Sequence, residues 1–574
     1  MVRAIDPVTL EVVGHYLIGL VREMGKTLKR TAYSTIIREQ NDCTSALFDP
    51  RGMLLAQADH VPSHQGTLSW AARTVAAKAG LGPGDLLIFN HPYMGGTHHP
   101  DIMIFKPIFF EGEHVATAAT LGHHLDVGGR GAGSIATDAQ DVFEEGLMIP
   151  PLFLARGGVM NEDILAMIAA NIRQPEQTLG DIRAQIAAVT VGERRVIELC
   201  RKHGGGRLRE IMAAIIDNSE KLMREDLRAF ENGTYKAEGF MDGDGLSDEP
   251  VRIAVAVTIE DGSVTVDFAG SSPQLKGPFN CSISSVHAAV YCAVRYMVHP
   301  EIMQNEGCYR PITVKVPPGS VVSPRKPAPL SGRFHTMERI ANTIVMAFNG
   351  ARKDDAVGSN HAHLSTYSVT GWQRDDQRTF ILFDFLGGGW GGTRETDGLD
   401  GVLGLMANAL DAPIEVVELE HPLRVERYEF VPDSGGPGRH RGGLGLRRDV
   451  RFLHGEGYFT NRSEAQRFAP QGVLGGGAGT TSRHRLILAD GKVRELPSKI
   501  TNVTIREGDI ISLVSPGGGG YGPACERDPR AVLEDCLDGK VTPEAAAAAY
   551  GVVIAGGRID EMATGALRRR LQGK

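Results

Sequence analysis

Two short segments of this chain set imidazole beside carboxylate. The first is Gly95-Gly96-Thr97-His98-His99-Pro100-Asp101, and the second is Gly122-His123-His124-Leu125-Asp126. In extended backbone, side chains at i and i+2 share a face. That spacing puts His99 with Asp101 on one side, and His124 with Asp126 on one side. Imidazole nitrogen plus carboxylate oxygen from two neighbouring segments is a ligand set suited to Zn²⁺, Mn²⁺ or Fe²⁺. A lone His-x-Asp is ordinarily a hydrogen-bonded histidine. Two such clusters, both flanked by glycine in one stretch, tip the balance to metal. The spacing matches neither a HExxH helix nor a thiolate finger, so a helix-borne protease site is excluded.

Other residues offer less on their own. Asp42 precedes a strand and could supply a further carboxylate, although such a residue is more often a cap. His60 and His64 flank a loop-like Val61-Pro62-Ser63. Asp138, Asp141, Glu144 and Glu145 form an acidic cluster that could hold a general base, against the default of a solvated face. Gly517–Gly520 lacks the GxxxxGK[ST] pattern of a phosphate loop. Gly387–Gly392 could line a cleft, because glycine admits close backbone approach.

The elements that must position these residues follow from periodicity. Asp6 can cap a helix whose first position is Pro7, with Leu10, Val13, Leu17, Leu20, Val21 and Met24 at helical spacing. Between the two histidine clusters, Ile102–Phe110 and Val115–Leu121 predict an out-and-back strand pair that brings the clusters together. Residues 161–230 are rich in Ala, Ile, Leu, Glu and Arg and predict two or three long helices. Strands return at Arg252–Ile259 and Ser263–Phe268 around the turn Glu260-Asp261-Gly262. Helices are expected over Val286–Val298 and Met337–Asn349. The fold class expected is α+β, with β-rich N- and C-terminal regions of mixed or antiparallel sheet and a central long-helix section. Five segments are expected: a metal-site region over 1–160, a helical section over 161–240, a mixed α/β region over 241–380, a glycine-rich β region over 381–523, and a helical hairpin over 524–574.

Composition bounds the function. The chain has 574 residues, with 61 Lys and Arg against 69 Asp and Glu, a net charge of −8. Without a basic stretch, the main electrostatic attraction to nucleic acid is missing. No run of 18 apolar residues predicts a membrane helix, and the N-terminus, with Asp6 and Glu11, does not read as a signal peptide. Seven scattered cysteines without a CxxC fit reduced thiols and a cytoplasmic location. Glycine, 71 of 574 or about 12 % against a usual level of roughly 7 %, predicts many tight turns, and its concentration near the clusters, at 387–392 and at 517–522 predicts active-site loops.

Taken together, the chain resembles the hydantoinase B/5-oxoprolinase family: the B-type components of ATP-dependent hydantoinases and the matching parts of oxoprolinases, lactamases and acetone or acetophenone carboxylases. The resemblance covers residues 5–523. It rests on Asp42 to Asp49 with Arg51-Gly52, on His64-Gln65-Gly66, on both histidine clusters with Val127-Gly128-Gly129, and on Glu145-Gly146. It continues through Asn171-Ile172-Arg173-Gln174-Pro175, Gly180-Asp181, Pro413-Ile414-Glu415-Val416, Asp433-Ser434-Gly435-Gly436 and Pro516–Gly522. Cys43 and Thr44 stand where the family often has an aromatic residue and a serine. The resemblance implies a larger partner subunit of actin/sugar-kinase type that uses ATP and Mg²⁺ to phosphorylate the substrate's carbonyl oxygen. It also implies a divalent metal, zinc or manganese, held here by Asp42, His99, Asp101 and His124. Glu145 or His64 is the expected proton carrier, with His98, His123 and Asp126 orienting the loop or substrate. The expected activity is hydrolysis of a hydantoin, 5-oxoproline or another lactam, in a hetero-oligomer such as α2β2. The alternatives are a ketone carboxylase subunit and a non-catalytic scaffold for the ATP-binding partner.

Overall fold

A computed structural model of the chain describes residues 5–58, 60–375 and 378–572. The architecture is α+β, with long helices and mostly antiparallel sheets. Contacts divide the chain into two compact units. The first comprises 1–236, 255–337 and 406–412, and the second 237–254, 338–405 and 413–574.

The first unit is built on seven strands: β1 (Cys43–Phe48), β2 (Leu54–Gln57), β3 (Leu86–Phe89), β4 (Asp101–Phe110), β5 (Glu113–His123), β6 (Leu152–Arg156) and β7 (Val159–Met160). Their order in the sheet is β2-β1-β5-β4-β3-β6-β7. The central strands are buried on both faces because both are covered; every residue of β1 is buried, with the Thr44 and Ser45 hydroxyls donating to Ala58 O and Val21 O. One cover is the helix Pro7–Thr31, whose start is as expected: the Asp6 carboxylate accepts from Thr9 N at 2.9 Å. Leu17, Val21, Met24 and Leu28 form its buried stripe. The other long element is the helix Pro175–His203, packed on β4, β5 and the first helix. Gly192 permits that approach: a Cβ there would stand 2.8 Å from Met24 Sδ and 3.0 Å from Ala118 Cβ.

Residues 161–230 form three helices, Glu162–Ala170, Pro175–His203 and Gly205–Leu227. The hairpin Val251–Glu260/Ser263–Asp267 turns through Asp261 and Gly262, both at positive φ (42° and 72°), as a two-residue hairpin loop requires.

The second unit holds two antiparallel sheets. One orders Thr379–Leu386, Ser365–Trp372, Glu456–Arg462 and Lys499–Arg506; the other orders Leu423–Phe430, Leu446–Phe452, Ile510–Val514, Arg483–Ile487 and Val493–Leu496. Within this unit the glycine-rich segments lie against one another, backbone to backbone. Gly443 N donates to Trp390 O, Gly518 N to Gly443 O, Gly436 N to Gly518 O and Gly392 N to Gly519 O, all at 2.8 to 2.9 Å. The glycines at 387–392 and 517–522 are therefore packing residues of this bundle, a role that the reading as active-site loops did not anticipate. At the C-terminus the helices Pro529–Leu537 and Pro543–Tyr550 are joined by a short ribbon and a further helix, Glu561–Gln572, around Val532, Ala546, Tyr550 and Val552. This adds a helix to the hairpin expected there. Among the described residues, no helix is long and apolar enough to cross a membrane.

Candidate metal centre

The centre lies where β1, β4 and β5 end together in the first unit. β4 and β5 are antiparallel, and their register sets Asp101 directly opposite His123. Side chains directly opposed across a ladder share a face. β1 pairs with β5 through Cys43 opposite Gly122, and His123 N donates to Asp42 O at 3.0 Å, which brings Asp42 alongside.

The segment before β4 is a turn rather than a strand. Asp101 N donates to His98 O at 3.1 Å, the i to i+3 closure that puts His98 and Asp101 on one side. Gly96 makes this possible, since a Cβ there would stand 2.6 Å from Asn90 O. Ser284 Oγ holds Gly96 O at 2.6 Å, and Asn90 Nδ2 holds His99 O at 2.6 Å.

Three donor atoms converge as a result. His98 Nε2 and His123 Nδ1 each lie 3.2 Å from Asp101 Oδ1, and 3.3 Å from one another. All three residues are buried. The second carboxylate oxygen of Asp101 faces away, accepting from Arg333 Nη2 at 2.6 Å and from the Thr97 hydroxyl. Asp42 stands at the rim, its side chain 14 % exposed, with Oδ2 3.9 Å from His123 Nδ1 and Oδ1 3.9 Å from His64 Nε2.

Burial and charge work against each other here. Burial pushes the Asp101 carboxyl up, but His98, Arg333 and His123 outweigh it and hold the group well below the usual carboxylate range. Asp42 lacks so close a cation, and burial lifts it to about 6. Burial lowers His98 to about 3 and His64 to about 4, so both rings are neutral with lone pairs available near pH 7. Two imidazole nitrogens and an ionised carboxylate aimed at one point are a donor set that fits a divalent transition metal.

The structure thus gathers Asp42, His98, Asp101 and His123, with His64 beside Asp42. It sends His99 and His124 elsewhere. His99 points to the other side of its turn, Nδ1 3.7 Å from Glu145 Oε2, and burial lowers it to about 3. His124 follows the end of β5, and its Nε2 meets Gln185 Oε1 at 3.0 Å on the long helix. The i/i+2 rule selected these two because it assumes extended backbone, and the strands stop at Asp101 and His123. Glu145 accepts from Leu330 N at 2.8 and 2.9 Å and from Ser331 N at 2.6 Å, just ahead of the helix Arg333–Arg352. Asp126 organises the next loop: its oxygens accept from Gly128 N, Gly133 N, Arg173 N and Arg173 Nη1. Asp138 and Glu144 pair with Arg130, and Asp141 caps its own turn.

Sequence reasoning missed Arg333. It is 232 residues from Asp101, and no local pattern marks it. The only available signal was the general demand of a buried carboxylate for a cation. For His98 and His123 the signal was incomplete: a strand pair closing outward from Glu111-Gly112 would set Asp101 against Gly122, and it is a bulge between Ile108 and Phe109 that brings His123 opposite instead.

Comparison with known proteins shows the family. The profile of the hydantoinase B/oxoprolinase family matches residues 6–524. The chain is 35 % identical to the B component of a putative D-/L-hydantoinase from Pseudomonas sp. (strain NS671), over 99 % of this chain and 98 % of that one. The crystal structure of ATP-dependent caprolactamase from Pseudomonas jessenii superposes with a TM-score of 0.91 at 29 % identity, covering 99 % of this chain and 100 % of that one. A nucleotide-free acetone carboxylase structure superposes at 0.92 with 21 % identity, over 99 % of this chain and 83 % of that one, a likeness of fold.

Proposed function

The chain belongs to the hydantoinase B/oxoprolinase family, and from that premise we propose that it is the metal-dependent hydrolytic subunit of an ATP-dependent cyclic-amide hydrolase. Its partner is a larger ATP-binding subunit of actin/sugar-kinase type, joined to it in a hetero-oligomer. The observation that carries the reading is the convergence of His98 Nε2, Asp101 Oδ1 and His123 Nδ1, with Asp42 at the open side.

An amide carbonyl is a poor electrophile, and its nitrogen is a poor leaving group. Phosphorylation on oxygen by the partner yields an imidate-like phosphate that water attacks readily. A zinc or manganese ion held by Asp42, His98, Asp101 and His123 would activate water near neutral pH and steady developing negative charge. The chain's own residues do the rest. His64, neutral and 3.9 Å from Asp42, accepts the proton from the attacking water and returns it to the departing nitrogen, and a second water then cleaves the acyl phosphate that remains to carboxylate and inorganic phosphate. Glu145 does not suit that task, because its oxygens already receive backbone N–H groups from Leu330 and Ser331. It fixes the helix start that carries Arg333, and behind the centre Asp126 and Arg173 hold the following loop closed.

The test is metal analysis of the purified two-subunit complex, followed by ATP turnover with a hydantoin, 5-oxoproline or caprolactam in bicarbonate-free buffer. The expected result is about one transition-metal ion per chain and ring opening coupled to ATP. Turnover that needs bicarbonate would replace hydrolysis by carboxylation. A complex without bound metal, which recruits none when metal is added, would leave a scaffold.

A further inference from the structure

We propose that Arg333 is a positioning residue of the metal centre: it occupies Oδ2 of Asp101, so that Oδ1 alone is presented between His98 and His123, and it serves as resident counter-cation while no ion is bound. This inference rests on the metal reading above.

Asp101 is fully buried, and Arg333 is 1 % exposed. A carboxylate so far from water is expelled from its charged form unless a cation meets it. Arg333 does so at 2.6 Å, on the oxygen that also accepts from Thr97. The guanidinium is itself pinned, with Nη1 2.9 Å from Met337 Sδ one helical turn on. The carboxylate plane is thereby fixed, and Oδ1 lies 3.2 Å from each histidine nitrogen. Asp101 is thus a one-oxygen donor before any ion arrives.

Two consequences distinguish this role from plain packing. When an incoming dication takes over the neutralisation of Asp101, the Arg333 charge changes from partner to repulsive neighbour. Removing it therefore destabilises the metal-free protein more than the metal-loaded one, and tightens metal binding. It also frees Oδ2 to join Oδ1 on the ion, which changes the coordination.

The experiment compares full-length wild type, Arg333→Met and Arg333→Lys, each metal-free and loaded with Zn²⁺ or Co²⁺. Arg448→Met serves as control, because Arg448 forms an equally buried pair with Asp384 in the second unit, at 2.7 Å. Melting temperatures, Zn²⁺ affinity by chelator competition, and the visible spectrum of the Co²⁺ form are read. Arg333→Met is expected to show a larger metal-induced rise in melting temperature than wild type, Zn²⁺ bound at least about ten-fold tighter, and a weaker Co²⁺ band from the higher coordination number. Arg333→Lys keeps the charge without the fork. It is expected to keep near-wild-type affinity with an altered Co²⁺ spectrum, and it decides the matter should Arg333→Met fail to fold. Arg448→Met is expected to lose equal stability in both states with unchanged affinity. Arg333→Met that behaves like this control or binds Zn²⁺ more weakly, or Arg333→Lys with an unaltered Co²⁺ spectrum, would overturn the role. Wild type that binds no metal would instead overturn the metal reading.

Discussion

Replacing Gly391 by alanine adds one methyl group and is expected to cost a large share of the stability of the second unit. A Cβ at Gly391 would stand 1.9 Å from Gly358 O and 2.2 Å from Gly358 C, where ordinary contact begins at 3.4 Å. Both offending atoms are backbone, so no side chain can swing away, and the two strands of the bundle must part by about 1.5 Å. Gly358 has no room to retreat, since its own Cβ position is 2.4 Å from Gly519 O. Parting them breaks Gly358 N to Gly392 O and strains Gly392 N to Gly519 O, now 2.9 and 2.8 Å. One buried backbone bond left unmade at about 1–3 kcal/mol, and a second strained by up to as much, give a loss of about 1–6 kcal/mol. Domains are stable by only about 5–15 kcal/mol. The assay is urea denaturation followed by circular dichroism, with Gly206→Ala as counterpart. Gly206 lies exposed in the helix Gly205–Leu227, with nothing within 4 Å of its Cβ position, so alanine there is expected to stabilise by roughly 0.5–1 kcal/mol. If Gly391→Ala unfolds within about 1 kcal/mol of wild type, the account of the glycine bundle is wrong.

Three further outcomes are expected. His98→Ala and His123→Ala abolish metal retention through gel filtration, whereas His99→Ala and His124→Ala retain the ion while lowering the melting temperature; metal analysis by mass spectrometry separates the two pairs. His64→Gln lowers kcat by about 10²–10⁴-fold with metal content unchanged, while Glu145→Gln keeps metal and turnover but costs about 1–3 kcal/mol in urea melts; a loss of turnover in the latter would return the proton-carrier role to Glu145. Burial depresses His361 and His484 to about 4 each, so their contribution is fully present above the unfolded value of about 6.5 and is lost as pH falls through about 4. Between those limits the unfolded chain binds the extra protons, each histidine adding about 1.4 kcal/mol of lost stability per pH unit. Urea midpoints from pH 7 to 5 should therefore fall less steeply in His484→Gln; an unchanged slope would show that this imidazole is not held neutral.

How much could be read beforehand differs by kind of information. The helix beginning at Pro7 was legible because its cap and apolar spacing are local. So were the three helices of 161–230 and the strand pair joining the histidine clusters. The identity of the cluster was legible too, as histidine and carboxylate in two neighbouring segments. Which histidine of each pair faces Asp101 was not: a turn at Thr97–Pro100 reverses the parity for His98 and His99, and a bulge between Ile108 and Phe109 sets His123 opposite Asp101.

Family, fold class, elements and the chemical character of the site could all be had from the order of residues, since motif, period and composition are properties of neighbours along the chain. Three things waited on the folded chain: that His98 and His123 meet at Asp101, that Arg333 reaches it from 232 residues away, and that the glycine excess largely serves a bundle of backbones in contact. Each depends on which segments come together in space. A carboxylate without its cation, or a glycine without the chain that presses on it, carries no mark in the sequence of what it is for.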